Sequence, residues 1–273
     1  MGTTAVVLAR GLGTRMRRAE GSDVLSAEQA RAAAGGAKAL MPIADASGRE
    51  RPFLDWILSG LADAGISNVV LVVAPDHTGL RTYYDGLGRP ARVTLSYAVQ
   101  EEPLGTANAA LAVERVVPER FLVMNGDNLY PRSALEALVH ATGTACIAFD
   151  GATLVREGNI PADRLRAFAR LDVGADGFLT GITEKPDDVD VTRLDWPVSM
   201  NVWAFTHEVF AACRRVPRST RGEYELPQAV DLAVRNGTLA VRAIPVSAPV
   251  LDLSGRGDVA SVAARLRAMA VTP

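Results

Sequence analysis

The sequence predicts an α/β fold: a doubly wound, mostly parallel sheet with helices on both faces, followed by a small strand-rich lobe. Three observations carry this. Short runs rich in β-branched residues recur at residues 3–9 (TTAVVLA), 68–74 (NVVLVVA) and 120–126 (RFLVMNG). Continuous apolar runs of this length suit parallel strands buried on both faces. Segments with apolar residues at helical spacing lie between them, and strand–helix alternation at this spacing implies right-handed crossovers. The chain is also long enough: 273 residues, 48% hydrophobic and 22% charged, can bury a core without metal or disulfide staples.

Each element has its own warrant. Residues 52–65 (PFLDWILSGLADAG) carry Pro at the start and Gly after the end, so a helix is expected. Residues 92–99 alternate like a strand, and residues 105–116 read as a helix. SALEALVHA is then a helix and TACIAF a strand. Beyond residue 150 the character changes. Residues 165–173 and 177–186 read as two strands around GADG, and residues 197–205 as a third. ELPQAVDLAVRNG returns to helix, TLAVRAIPV to strand, and a last helix follows Gly257. Residues 19–36 are polar and alanine-rich. Within them SAEQARAAA sets Ser26 at capping-box spacing, so a short surface helix is expected there. No repeat or linker is evident. The expectation is one domain over residues 1–273, with residues 1–150 as one half and residues 151–273 as the lobe and C-terminal helices.

Composition excludes several classes. Lys plus Arg is 29 and Asp plus Glu is 31, a net charge of -2. That balance argues against a nucleic-acid partner, and 5% aromatic residues give few stacking platforms. Cys146 and Cys213 form neither a disulfide framework nor a CxxC site, and read as buried thiols. No secretory leader, lipidation pattern or membrane-length apolar run is seen, so the expected compartment is a reducing cytoplasm.

Four segments could carry chemistry. LARGLGTRMR, residues 8–17, follows the first strand, and open α/β sheets bind ligands beyond their strands' carboxyl ends. Gly11 and Gly13 would let backbone N–H groups approach phosphate, and Arg15 would add a permanently charged fork. The dinucleotide GxGxxG fails at Met16, and a P-loop Gly-Lys-Ser/Thr is absent. In GGAKALMPI, Lys38 stands just after this loop. In QEEPLGTANAAL, Gly105 and Thr106 open a helix, and the Gln100 amide could accept from N3–H and donate to O4 of uracil or thymine. This favours a pyrimidine, with a purine left open. In VMNGDNLY, Asp127 follows a buried strand and a glycine, which suits Mg²⁺ bridging phosphates. Taken alone, it reads better as an N-cap for the helix at Pro131.

In this order the segments resemble the sugar-1-phosphate nucleotidyltransferases, the NDP-sugar pyrophosphorylases. GLGTRMR and KALMP match that family's first loop and following lysine, and the Q…PLGTA and GD segments come next. Downstream, TEKP resembles its sugar-binding EKP, and LDLSGRGDV its late DxGxxxD. The resemblance runs from about Thr3 to Val259 and implies a Rossmann-like α/β/α nucleotidyltransferase fold. It implies an enzyme joining an NTP and a sugar 1-phosphate into an NDP-sugar and pyrophosphate, with Mg²⁺ as cofactor and these small molecules as partners. By resemblance, Arg15 and Lys38 act on the triphosphate. Leu8, Gly11, Gly13, Thr14, Gln100, Gly105 and Thr106 shape the nucleotide site. Glu184, Lys185, Ser199 and Asn201 serve the sugar phosphate, and Asp127 and Asp252 hold the metal. No nucleic-acid or membrane partner is implied, and a homo-oligomer is left open.

Several positions depart from the family pattern. Arg10 stands where Gly or Ala is usual, so its long side chain either reshapes the nucleoside pocket or points away. The loop between Arg15 and Lys38 is long, and reads as a lid, a substrate wall or an oligomer contact. Where the family has Asn-x-Gly, alignment on the strand puts Ser199 at the Asn and Asn201 at the Gly. Ser254 replaces the glycine after Asp252. Two alternatives stand beside the leading reading: the same transfer to a non-sugar phosphate, and a non-catalytic regulatory homologue that binds a nucleotide-sugar. GEYELPQAV reads as a helix entrance, and the arginines of CRRVPRSTR as a solvated surface.

Overall fold

The computed structural model describes residues 3–18, 25–186 and 193–273. Ten strands form one mixed sheet. They are β1 (Thr3–Leu8), β2 (Ile66–Val73), β3 (Thr94–Val99), β4 (Arg120–Asn125), β5 (Ala145–Asp150), β6 (Ala169–Val173), β7 (Leu179–Thr183), β8 (Pro197–Ser199), β9 (Val202–Thr206) and β10 (Arg242–Val246). The order is β7-β6-β8-β5-β9-β4-β1-β2-β3, with β10 also paired to β5. β1 lies between β4 and β2 and runs parallel to both, so the chain reverses its winding there. β8 and β9 pair antiparallel with their neighbours, and the strands from the second half extend the same sheet.

Alternation of side chains feeds two cores. In β1, Ala5 and Val7 point into one and Val6 into the other; in β4, Leu122 and Met124 oppose Phe121 and Val123. Helices α3 (Phe53–Asp63), α6 (Arg132–His140) and α10 (Asp258–Leu266) cover the first core. Helices α5 (Thr106–Leu111), α8 (Glu208–Arg215) and α9 (Leu226–Arg235) cover the second. The remaining α-helices are α1 (Thr14–Arg17), α2 (Ala27–Gly35), α4 (Thr78–Tyr84) and α7 (Gly151–Glu157). The predicted α/β/α arrangement is present. α3 buries Phe53, Leu54, Trp56, Ile57, Leu58 and Leu61, starts after Pro52 and stops before Gly65 at φ 80°. Cys146 and Cys213 are free and buried, as expected.

Local differences have physical causes. α5 ends at Leu111 rather than near residue 116, because later N–H groups bond three residues back, as from Val113 to Ala110 and Glu114 to Leu111. Residues 162–167, ahead of β6, form a 3₁₀ turn instead of strand. The strand expected over residues 197–205 divides into β8 and β9 where Asn201 adopts φ 57°. The left-handed region is open to glycine and tolerated by asparagine, which explains why Asn201 aligns with a glycine. A short helix, Thr14–Arg17, follows the first glycine loop. The expected surface helix exists as Ala27–Gly35, with Ser26 and Gln29 forming the full capping box. Residues 19–24 of that segment lie outside the described residues. Among the described residues no helix is long and apolar enough to cross a membrane.

Candidate functional site

A cleft of about 450 Å³ opens beyond the carboxyl ends of β1, β3 and β4, where winding reverses. All fifteen residues singled out in the sequence line it: Leu8, Gly11, Gly13, Thr14, Arg15, Lys38, Gln100, Gly105, Thr106, Asp127, Glu184, Lys185, Ser199, Asn201 and Asp252. Backbone approach explains the glycines. A Cβ on Gly126 would sit 2.8 Å from Leu8 O, so only glycine lets β4 end against β1. Gly13, at φ 61°, packs against Gly36 so closely that a Cβ would meet its carbonyl at 2.5 Å. Gly36 is the left-handed C-cap of helix Ala27–Gly35, and Arg17 donates to Gly35 O at 3.1 Å. The alanine-rich helix is thereby a strut between the glycine loop and Lys38. Gly11 has open space where a side chain would be.

Lys38 Nζ donates to Asp127 Oδ2 at 2.8 Å, with both side chains mostly buried. Asp127 serves this pair and is not the N-cap of α6, which Pro131 fills. Arg15 is exposed on the rim and pairs with no described residue. Beside Asp127, on the short strand paired with Asn128, Asp252 is 2% exposed. Its Oδ1 accepts from Asn128 Nδ2 at 2.9 Å and from Ser254 Oγ at 3.0 Å, and its Oδ2 from Arg164. Ser254, a departure from the family pattern, thus braces Asp252. Arg164 also donates to Asp258 Oδ1 at 2.6 Å. Burial first, and the nearby charge of Asp127 second, push the Asp252 carboxyl up to about 6, against the pull of Arg164.

A row of amides ends on this carboxylate. Trp203 Nε1 donates to Asn201 Oδ1 at 2.7 Å, Asn201 Nδ2 to Asn125 Oδ1 at 2.6 Å, Asn125 Nδ2 to Asn128 Oδ1 at 3.2 Å, and Asn128 Nδ2 to Asp252. An indole only donates and a carboxylate only accepts, so the two ends fix the direction of every amide between them. Ser199 Oγ accepts from Asn201 N at 3.3 Å and shapes the same turn.

At the β3 end, Gln100 Nε2 donates to Gly105 O at 3.1 Å and Asn108 Oδ1 at 2.8 Å. Both amide hydrogens are spent, so the expected donation from Gln100 to a pyrimidine O4 does not hold; its Oε1 alone remains as an acceptor. Gly105 has φ 104°, and a Cβ there would meet Tyr224 O at 2.6 Å. Thr106 Oγ1 accepts from Leu226 N at 2.8 Å, tying α5 to α9. Glu184 and Lys185, also on the cleft lining, stand 3.8 Å apart and are partly buried. Burial, then the Glu225 charge, raises the Glu184 carboxyl, while burial and Arg221 lower the Lys185 ammonium.

The family model described as nucleotidyl transferase matches residues 33–248 of the chain. The chain belongs to the nucleotidyl transferase family. The resemblance to its sugar-1-phosphate branch is borne out, and a non-catalytic role is set aside. This nucleotidyl transferase is 29% identical over 249 residues to the UTP–glucose-1-phosphate uridylyltransferase AglF of Haloferax volcanii, covering 91% of this chain and 90% of that one. It is 25% identical over 252 residues to the glucose-1-phosphate thymidylyltransferase of Mycolicibacterium smegmatis, covering 90% and 76%. Its fold matches a UDP-glucose pyrophosphorylase complexed with UDP-glucose, with TM-score 0.71, 14% identity, and 97% and 98% of the chains covered.

Sequence reasoning missed part of the transferase's cleft. Arg221, Glu223 and Glu225 line it, although the sequence suggested a solvated arginine and a plain helix entrance. Arg221 pairs with Glu225, the residue before α9. Tyr224 N bonds Leu104 O at 2.7 Å and Ala107 N bonds Tyr224 O at 2.8 Å, so this segment is zipped to the PLGTA loop. Arg164, Asn125 and Asn128 were missed as well. Only the glycine of GEYELP could have hinted at a loop meeting another.

Proposed function

We propose that this protein transfers the nucleotidyl group of an NTP to a sugar 1-phosphate, releasing pyrophosphate, in a single catalytic domain. The nucleotide would be held by the half up to about residue 150 and the sugar by the remainder. The observation that carries this is the cleft: the glycine loop, Lys38, Gln100, Asp127, Glu184 and Lys185 all line one cavity. The names of the relatives make glucose 1-phosphate with UTP or dTTP the first pair to test.

The chemistry is one in-line displacement. An oxygen of the acceptor phosphate attacks the α-phosphorus, the bond to the bridging oxygen breaks, and pyrophosphate leaves with the electron pair. A phosphate monoester is already anionic near neutral pH, so no base is required. Positioning and charge neutralisation supply the rate. Leu8, Gly11, Gly13 and Thr14 cradle the triphosphate with backbone and hydroxyl donors, and Arg15 and Lys38 neutralise the departing pyrophosphate. Gln100 Oε1 accepts the imino N–H of a base such as uracil or thymine, and Gly105 and Thr106 shape the floor beneath it. Lys185 holds the acceptor phosphate, Glu184 takes hydrogen bonds from sugar hydroxyls, and Ser199 and Asn201 form the adjoining wall.

The donor set fits Mg²⁺. Among the described residues no group of three or more His, Cys, Asp or Glu could hold a metal, and Mg²⁺ in phosphate chemistry commonly takes one or two carboxylates with phosphates and water completing its shell. Asp127 and Asp252 provide two carboxylates whose mutual repulsion, recorded in the raised Asp252 carboxyl, a divalent cation would relieve. Bound there, the metal would draw charge from the α-phosphate and the acceptor phosphate. A cytoplasmic setting agrees with two free thiols. The test is pyrophosphate release across a matrix of NTPs and sugar 1-phosphates with and without Mg²⁺. Turnover confined to one or a few pairs and requiring the metal is expected; no release with any pair would sink the reading.

A further inference from the structure

The side chain of Arg10 crosses from the end of β1 to the end of β3. Its Nε donates to Gln100 O at 2.6 Å and its terminal nitrogen to Glu101 O at 2.9 Å. These two bonds use two of the five guanidinium hydrogens, and the other three have no described partner on the cleft wall where Arg10 stands. Beside it, the Gln100 amide nitrogen is spent on Gly105 and Asn108. Its Oε1 is neither hydrogen-bonded nor sealed from the cleft. The wall therefore carries an acceptor on Gln100 and a charged donor held against the Gln100 main chain.

We infer that Arg10 is a specificity-determining residue that completes base recognition with Gln100 and selects nucleotides whose base carries an N–H next to a C=O. This rests on reading the β3 end of the cleft as the base site. Uracil and thymine offer N3–H to Gln100 Oε1 and O4 to the guanidinium; guanine offers N1–H and O6 in the same sense. Cytosine and adenine present a ring-nitrogen acceptor beside an amino donor. Both of their groups face the wrong partner, leaving an acceptor against an acceptor and a donor against a donor. Rejection through unpaired polar groups is far stronger than rejection by shape. The two carbonyls that grip Arg10 fix the plane of the fork, so the donor is held in place before the nucleotide arrives. A small residue at this position could give neither the donor nor the link between the loops.

Equilibrium binding of UTP, dTTP, GTP, CTP and ATP, with Mg²⁺ and no acceptor, tests this on wild type, Arg10→Ala and Arg10→Lys. Wild type is expected to bind UTP at least about tenfold tighter than CTP. Arg10→Ala should weaken UTP by about ten- to a hundredfold, the loss of one charge-assisted hydrogen bond and its preorganisation, while CTP changes less than about threefold. Arg10→Lys, which keeps the charge without the fork, should stay closer to Ala than to wild type in its UTP-to-CTP ratio. Equal weakening of UTP and CTP would reduce Arg10 to a general attractor of phosphate and overturn the proposal. So would wild-type CTP binding as tight as UTP. Should the variants fail to fold, 4-thio-UTP serves on wild type: its poorer acceptor must cost affinity, and unchanged affinity overturns the proposal. Absence of binding by every nucleotide overturns the transferase reading itself, a separate outcome.

Discussion

Burial of Asp252 beside Asp127 makes the protonated carboxyl the cheaper form in the folded chain, while Arg164 pulls the other way. The folded state therefore holds this proton more tightly than the unfolded state does. The contribution of the site to stability is present below 3.8 and is lost as pH rises towards about 6. The ionised form that can hold a metal is populated above that upper value. Metal-dependent kcat/KM should accordingly rise with pH through an acid limb near 6. A profile flat from pH 5 to 7 at subsaturating Mg²⁺, where proton and metal compete for the carboxylate, would show that Asp252 does not titrate in the reaction. Asp127 is more exposed and carries the Lys38 ion pair. Asp127→Asn should lose about 10²–10³-fold in metal-dependent turnover, the scale of one lost electrostatic contact to the reacting phosphates, while circular dichroism shows the chain still folded. Wild-type turnover in that variant would remove Asp127 from the metal site.

Elements matter here through their ends. β1, β3 and β4 deliver Leu8, Gln100 and Asn125 to one edge, and glycines let the following loops come within van der Waals distance of each other. The α5 entrance is the tightest of these. Gly105 combines φ 104° with a carbonyl that would lie 2.6 Å from an added Cβ. Gly105→Ala should destabilise the chain by about 1–3 kcal/mol through backbone strain and displacement of Tyr224. It should also raise KM for the NTP more than KM for the acceptor, since Gln100 bonds Gly105 O directly. Urea unfolding and steady-state kinetics check both parts; unchanged stability would mean that the Tyr224 segment yields freely. The Ala27–Gly35 helix acts at the same scale. Its C-terminal Gly36 locks against Gly13 and leads directly to Lys38.

For the molecule as a whole, a net charge of -2 conceals a polarised interior edge. Among the described residues the cleft carries Arg10, Arg15, Lys38, Lys185 and Arg221 against Asp127, Glu184, Glu223, Glu225 and Asp252. Most of these charges are paired within the protein, whereas Arg15 is left to the ligand. A nucleoside triphosphate with Mg²⁺ should therefore stabilise the fold by mass action, by about 2.7 kcal/mol at a hundred times its Kd. That corresponds to a rise of about 5–10 °C for a chain of this size, readable by differential scanning fluorimetry. No rise with millimolar UTP or dTTP and Mg²⁺ would contradict a preformed nucleotide site.

The α/β/α fold class and the four motif segments were legible in the sequence because they depend on local features. Apolar runs choose buried strands, and glycines at strand ends permit close backbone approach. The fifteen candidate residues line the cleft for that reason. The partners of those residues were not legible. Arg164 reaches Asp252 and Asp258 across 88 and 94 positions, and the Trp203-to-Asp252 row of amides joins residues far apart in the chain. Nor could the sequence show that the amide hydrogens of Gln100 are already spent, or that Arg10 turns towards β3. Local chemistry fixed where a phosphate could be held. Only the packing of distant segments decided which donors and acceptors stayed free to meet a ligand, because a hydrogen bond satisfied inside the protein is no longer available to it.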